Sequence, residues 1–219
     1  MLLSKHFNRK KENSHYFRPV TILYFIDILG TMVFAISGAL AGRDKKLDFF
    51  GIAAVGLITA IGGGTVRDVL LGSTPVGWME DLIYIGMIGA GVLISLLFGK
   101  AVLKLRRTFF MFDTVGIAVF TVLGLQKALT LGVNPIIAIM MGMVSAVFGG
   151  VIRDIVCNEI PLIFRKEIYA LTCLCGGIFY VILQRSGLEQ DWNIVITVSF
   201  IVTFRVLAVK FKWKLPDIS

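Results

Sequence analysis

The stretch GGGTVRD at Gly62–Asp68 returns as FGGVIRD at Phe148–Asp154, and each copy lies inside an apolar run long enough to cross a bilayer. The offset of 86 holds well beyond those residues without a gap. Asp27 falls on Asp113, Gly30 on Gly116, Phe34 on Phe120, Gly38 on Gly124, Gly56 on Gly142, Pro75 on Pro161 and Gly91 on Gly177. Matches at Gly, Pro, Arg and Asp in a single register mark an internal repeat, with a period far above the roughly 20–50 residues of solenoid arrays. The chain is therefore a duplication, and both copies must bury apolar bodies of the same design.

The environment follows from composition. With 57% hydrophobic and 16% charged residues over 219 positions and a mean hydropathy of +0.85, the chain reads as an all-α polytopic membrane protein with no room for a separate soluble domain. Residues 1–18 are polar and basic and lack the apolar stretch and cleavage site of a signal peptide, so they read as an N-terminal tail. The net charge of +8 does not point to nucleic acid, because Lys and Arg cluster in that tail, at Lys100–Arg107 and at Lys210–Lys214, all flanks of apolar segments. Cys157, Cys173 and Cys175 form no CxxC pair, and His6 and His15 are both in the tail, so the cysteines read as small packing residues.

Seven segments have the length and apolarity of transmembrane helices: 20–42, 49–71, 79–99, 108–126, 135–157, 165–184 and 192–211. Asp48 and Asn134, equivalent under the offset, stand where N-caps would start helices two and five, and Pro135 then occupies the first helical turn. The expected organisation is the tail at 1–18, a three-helix repeat at 19–105, a second at 106–186, and a seventh helix with a short C-terminal tail at 187–219. Three crossings are an odd number, so the second repeat enters from the opposite side and the repeats are inverted. Lys and Arg near segment ends number 12 on one side and 7 on the other, which predicts an outside N-terminus and a cytoplasmic C-terminus.

The glycine clusters Gly62, Gly63, Gly64 and Gly149, Gly150 predict breaks in helices two and five, since each mid-helix glycine costs roughly 1 kcal/mol relative to alanine. Broken backbone at membrane depth is tolerated only in a protein interior or beside a watery cavity, and paired interruptions point to a transport path. Close packing through small residues is the plainer reading of the same glycines. After a break at Gly64, Thr65 would cap a new half-helix with Asp68 in its first turn. Val151 stands at the second site, so that break should be less sharply capped.

Intramembrane charges usually face the interior and pair, which predicts two clusters toward opposite mouths, Asp27 with Arg67 and Asp68, and Asp113 with Arg153 and Asp154. Thr65 and Ser145 complete the candidate polar residues of a pore or gate. Lys127 and Arg205 read first as snorkelling or lipid-headgroup residues, with a gate role for Lys127 as the alternative. Trp78, Trp192 and Trp213, at segment ends, fit an interfacial belt.

Taken together, the duplicated three-helix units, the seventh helix and the paired GGGTVRD and GGVIRD motifs resemble the prokaryotic members of the trimeric intracellular cation (TRIC) channel family over residues 20–211. The resemblance implies a homotrimer with one pore per protomer, bounded by helices one, two, four and five, kinked at the glycines of helices two and five, and passing monovalent cations, chiefly potassium. The expected function is thus a potassium-permeable channel in a prokaryotic plasma (inner) membrane, with the lipid bilayer and monovalent cations as partners and no nucleic acid. A secondary transporter of a small zwitterion such as an amino acid is the alternative, its carboxylate meeting half-helix N-termini at Thr65–Arg67. No nucleophile and base pair, metal-ligand cluster or nucleotide motif is present, so neither an enzyme nor a cofactor is expected, and the absence of a TVGYG signature predicts modest selectivity.

Overall fold

The computed structural model describes residues 21–103, 106–165 and 168–213. The tail expected over 1–18, the side chains of Lys100, Lys104, Arg106, Arg107, Lys166 and Lys214, and the expected repeat boundary at 105 lie outside the described residues. Among the described residues there are eight α-helices and one 3-10 turn. They are α1 (Thr21–Asp44), α2 (Phe49–Leu70), the single turn α3 (Gly77–Glu80), α4 (Leu82–Leu103), α5 (Arg106–Thr130), α6 (Pro135–Val156), the 3-10 turn Leu162–Phe164, α7 (Ala170–Arg185) and α8 (Gln190–Lys210).

Five of these, Ile22–Asp44, Phe49–Leu70, Phe110–Thr130, Pro135–Val156 and Gln190–Lys210, are long and apolar enough to cross a membrane, while Leu82–Phe98 and Ala170–Arg185 are shorter apolar helices. The third and sixth segments differ most from expectation. Asp81 separates α3 from α4, and Arg165, expected at the head of the sixth helix, lies in the turn before it. The expected caps are present: the Asp48 carboxylate accepts from Gly51 N at 2.7 Å, and Asn134 Oδ1 accepts from Ile136 N at 2.9 Å. Each satisfies an otherwise orphaned N–H of the first turn.

The duplication is visible in backbone detail. After α2, Leu71 N bonds Arg67 O, Gly72 N bonds Val69 O and Ser73 N bonds Asp68 O; after α6, Cys157 N, Asn158 N and Glu159 N bond Arg153 O, Ile155 O and Asp154 O. Gly72 and Asn158 take the left-handed conformation that ends a helix, with φ of 67° and 53°.

The helices α2 and α6 cross at the heart of the bundle, and here the expected break is overturned. Both remain continuous α-helices through Gly62–Gly64 and Gly149–Gly150. Thr65 caps nothing: its hydroxyl bonds back to Ile61 O at 2.8 Å, the intrahelical habit of a threonine inside an unbroken helix. What the glycines supply is proximity. A Cβ at Gly149 would stand 2.5 Å from the Thr59 carbonyl oxygen, and one at Gly63 would overlap the Ser145 carbonyl. Since Thr59 and Ser145 are themselves equivalent under the offset, the two contacts are reciprocal. The pairing runs 59 with 149 and 63 with 145, so the helices are antiparallel and their C-terminal ends, carrying Arg67 and Arg153, lie at opposite ends of the bundle. Phe34 and Phe120, another equivalent pair, stack with centroids 5.0 Å apart.

Around this crossing α1 packs on α2 and α5 on α6, α4 lies against α1, and α7 and α8 cover α5. The core joins Phe34, Ile117, Phe120 and Leu125 to Tyr169, Tyr180 and Ile201, while Phe25, Phe49, Phe50, Leu97, Phe98, Ile136 and Ile182 are exposed. Side chains of that kind on the outside suit lipid as solvent. Cys173 is fully buried and Cys157 nearly so, in keeping with packing roles.

Candidate functional site

Each helix C-terminus carrying Arg-Asp builds the same anchor. Arg67 Nε meets Asp68 Oδ1 at 2.7 Å, and Asp68 Oδ2 accepts from Gly77 N at 3.1 Å. Arg153 Nε meets Asp154 Oδ1 at 2.8 Å, and Asp154 Oδ2 accepts from Leu162 N at 3.1 Å. The aspartate thus folds the following Pro75 or Pro161 loop back over its own helix end, and the arginine supplies the countercharge that makes its burial tolerable.

Beyond the anchor the two ends diverge. At the Asp154 end, Arg153 is wholly buried and donates through Nη1 to Asp113 Oδ1 and to Ser37 Oγ, both at 2.8 Å. The Tyr169 hydroxyl lies 3.5 Å from the same Asp113 oxygen and beside Gly150, closing this end. The expected cluster of Asp113, Arg153 and Asp154 is therefore present as a sealed one. Arg205, read from sequence as a headgroup residue, is buried instead, with its guanidinium 4.8 Å from the Tyr169 ring centroid and donating to Ile168 O at 2.7 Å. It ties α8 to the segment that covers the cluster.

At the Asp68 end the expected Asp27–Arg67 ion pair does not form. Arg67 pairs with Asp68, and Lys127 Nζ reaches the same carboxylate at 2.8 Å, so Lys127 faces the interior where a snorkelling role was expected. Asp27 accepts from the Tyr84 hydroxyl at 2.6 Å. Arg67 Nη1 lies 3.5 Å from Ser145 Oγ at the helix crossing, which connects this end to the centre of the bundle.

A cavity of about 30 Å³ opens here, lined by Asp27, Thr31, Ala60, Ile61, Gly64, Arg67, Asp68, Gly77, Trp78, Tyr84 and Phe120. That is space for about two water-sized particles. Of the residues expected from sequence, Asp27, Gly64, Arg67 and Asp68 line it. Gly62, Gly63, Gly149 and Ser145 belong to the crossing, and Thr65 stands behind the wall, accepting from the Trp78 indole at 3.1 Å. Trp78 is accordingly a wall residue of the cavity, carried by the α3 turn. Tyr84, Tyr24, Asp81 and Tyr169 were missed. A signal existed: Tyr24 with Asp27 and Asp81 with Tyr84 have the same three-residue spacing, one turn of helix, in mirrored order.

A family model described as "Glycine transporter" matches twice, at residues 24–100 and 110–185, once in each copy of the repeat. A UPF0126 membrane protein of Vibrio cholerae is 37% identical over 200 residues, covering 91% of this chain and 84% of that protein. The UPF0126 inner membrane protein YadS of Escherichia coli K12 is 36% identical over 202 residues, covering 90% and 97%. Among solved structures, the TRIC trimeric intracellular cation channel orthologue of Rhodobacter sphaeroides superposes with a TM-score of 0.84 at 32% identity, covering 88% of this chain and 99% of that one. The chain belongs to the prokaryotic TRIC channel family. A crystal structure of a prokaryotic TRIC channel in 0.5 M KCl also matches, with a TM-score of 0.83 at 32% identity, over 90% of this chain and 100% of that one. As in any TRIC-family chain, function has to be argued from the site, because one fold carries several activities.

Proposed function

We propose that this TRIC-family chain is a cation channel of a bacterial inner membrane, permeable to potassium and other monovalent cations, with one pore in each protomer of a homotrimer. Its path runs between α1, α2, α5 and α6, from the Asp27 cavity past the Gly63–Ser145 crossing toward the Asp113 cluster. The proposed topology is seven crossings as two inverted three-helix repeats, divided near residue 105, plus α8, with the N-terminus outside and the C-terminus in the cytoplasm. The reciprocal contacts of Gly63 with Ser145 and of Gly149 with Thr59 support inversion, since residues related by a two-fold exchange partners.

The observation that carries the reading is the Asp27 carboxylate in the cavity wall with a neutral hydroxyl as its partner, while Arg67 and Lys127 are both engaged by Asp68. Asp27 and Asp68 balance Arg67 and Lys127 in charge, but no cation of the protein sits directly on Asp27, whose carboxylate is left to ligate a passing ion; a potassium ion is close to a water molecule in size, which suits the narrow space. The polar candidates Thr65, Arg67, Asp68, Ser145, Arg153 and Asp154 then hold the path's walls and loops in place. Nothing in this role requires an enzyme's chemistry or a cofactor.

Single-protein recordings in planar bilayers test this. Unitary currents with potassium preferred over chloride are expected, and Asp27→Asn should lower both the conductance in dilute salt and that preference. Unchanged currents and selectivity in Asp27→Asn would remove Asp27 from the path. A second reading, a transporter of a small zwitterion, draws on the family model's description and on the opposite charges of Asp27 and Arg67 in one cavity. Because α2 is unbroken, a substrate carboxylate would meet the Arg67 guanidinium and not a half-helix N-terminus. Saturable glycine uptake without unitary currents would favour it.

A further inference from the structure

We infer that Tyr84 is the positioning residue that keeps Asp27 available as the cavity's cation ligand, fixing the carboxylate without cancelling its charge. The inference deepens the proposed function and rests on its assignment of the cavity to the path.

Two hydrogen bonds join α1 to the start of α4. Tyr24 donates to Asp81 Oδ2 at 2.6 Å and Tyr84 donates to Asp27 Oδ2 at 2.6 Å, each across 57 residues, so the two helices run parallel in this region. The bonds look alike, but the carboxylates do different work. Asp81 uses its other oxygen to accept from Ile83 N at 2.8 Å at the head of α4, so both of its oxygens are engaged in holding structure. Asp27 Oδ1 has no hydrogen bond among the described residues, and Asp27, unlike Asp81, lines the cavity.

The choice of a tyrosine matters because the cavity offers a competitor. The Arg67 guanidinium shares the same wall. At the other end of the molecule the equivalent aspartate, Asp113, is taken by the equivalent arginine, Arg153, at 2.8 Å, and there the position equivalent to Tyr84 is Ala170. There the Tyr169 hydroxyl stands 3.5 Å from the carboxylate, and Asp113 instead pairs closely with an arginine that it shares with Asp154. Tyr84 opposes that outcome at Asp27: an uncharged donor orients one oxygen and leaves the other without a cation of the protein on it, open to a passing ion.

The test compares Tyr84→Phe, Tyr24→Phe, Asp27→Asn and the double variant Tyr84→Phe/Asp27→Asn with the wild-type protein, reconstituted as the full chain in bilayers with potassium chloride. Removing the Tyr84 hydroxyl should let Asp27 swing onto Arg67. The potassium-over-chloride permeability ratio should then fall about tenfold, the equivalent of ~1.4 kcal/mol. Tyr84→Phe should approach Asp27→Asn, the double variant should add nothing, and Tyr24→Phe should change the ratio by less than about twofold, since its hydrogen bond lies outside the cavity. Wild-type selectivity in Tyr84→Phe beside a loss in Asp27→Asn, or additive losses in the double variant, would overturn the inference while leaving the channel reading intact. If wild-type protein carries glycine without unitary currents, the channel reading fails and the same four variants are read by the KM for uptake. Tyr84→Phe matching Asp27→Asn there supports the inference, and an unchanged KM in Tyr84→Phe overturns it.

Discussion

The two ends of the bundle start from the same motif and finish in different states. Both fold a proline loop back through Asp68 or Asp154, with near-identical distances. Yet the Asp154 end is sealed by Arg153, Asp113 and Tyr169, whereas the Asp68 end keeps a cavity with Asp27 in its wall. The difference arises from residues outside the motif. Tyr84 and Lys127 have Ala170 and Ala41 as their counterparts, so at the Asp154 end the hydroxyl near Asp113 is that of Tyr169, at a longer 3.5 Å, and no lysine shares Asp154 with Arg153 among the described residues. A duplicated motif fixed the loop anchor, and its unduplicated neighbours decided which end opens.

Breaking each end in the same way should therefore give unequal results. Arg153→Ala strands Asp113 and Asp154 in a dry interior, and removing one partner of a buried pair costs about 3–5 kcal/mol. Arg67→Ala leaves Asp68 with Lys127 beside a cavity and should cost distinctly less. Thermal unfolding of the two variants in detergent compares them, and equal losses would mean that the ends are energetically alike.

The helix crossing sharpens the comparison at an intermediate scale. Gly63→Ala and Gly149→Ala force a methyl into a carbonyl across the α2–α6 contact and should destabilise by about 1–3 kcal/mol each. Gly64→Ala is different: the nearest atom to its Cβ would be Arg67 Nη2 at 3.7 Å, and α2 is continuous there, so stability should be unchanged or slightly raised. Melting temperatures of the three separate a packing role for the glycines from a flexibility role, in which Gly64→Ala would be as damaging as the others.

The smallest effect is expected where the loops at one end meet. Lys45 bonds Glu159, which is also 3.1 Å from Arg165, tying the α1–α2 loop to the loop after α6. The Lys45 ammonium holds the Glu159 carboxyl below its usual range, and Glu159 raises Lys45 in turn. A carboxyl with a depressed folded value stabilises above its unfolded pKa and loses that contribution as pH falls through the folded value. Stability should therefore decline slightly on acidification below the ordinary glutamate range, less so in Glu159→Gln. Both groups are solvent-exposed, so the difference in melting between the two proteins should be small.

Much of the fold was legible because its signals are local. Asp48 and Asn134 cap α2 and α6 as their positions predict, and the offset of 86 carried over from residues to backbone hydrogen bonds. The glycine clusters were misread as breaks. Helix propensity argues for a break, but in an apolar surrounding an unbroken helix satisfies its own backbone, and closeness to a neighbouring carbonyl is a property of two helices and not of one. The aspartates and the Arg-Asp arginines were assigned to the interior and the Asp113, Arg153 and Asp154 cluster was foreseen, whereas Lys127 and Arg205 were read as headgroup residues and Asp27 was given the wrong partner. Asp27 chose Tyr84, and Lys127 chose Asp68.

By itself the sequence determined an all-helical, duplicated membrane chain, its caps, and the presence of Arg-Asp near two helix ends, because length, hydropathy and capping act within a few turns of chain. Only the tertiary structure decided which aspartate pairs with which cation, which end is sealed and what the glycines touch. Those outcomes depend on side chains from helices far apart in sequence meeting at each end of the bundle, and competition among partners is settled by their distances in space.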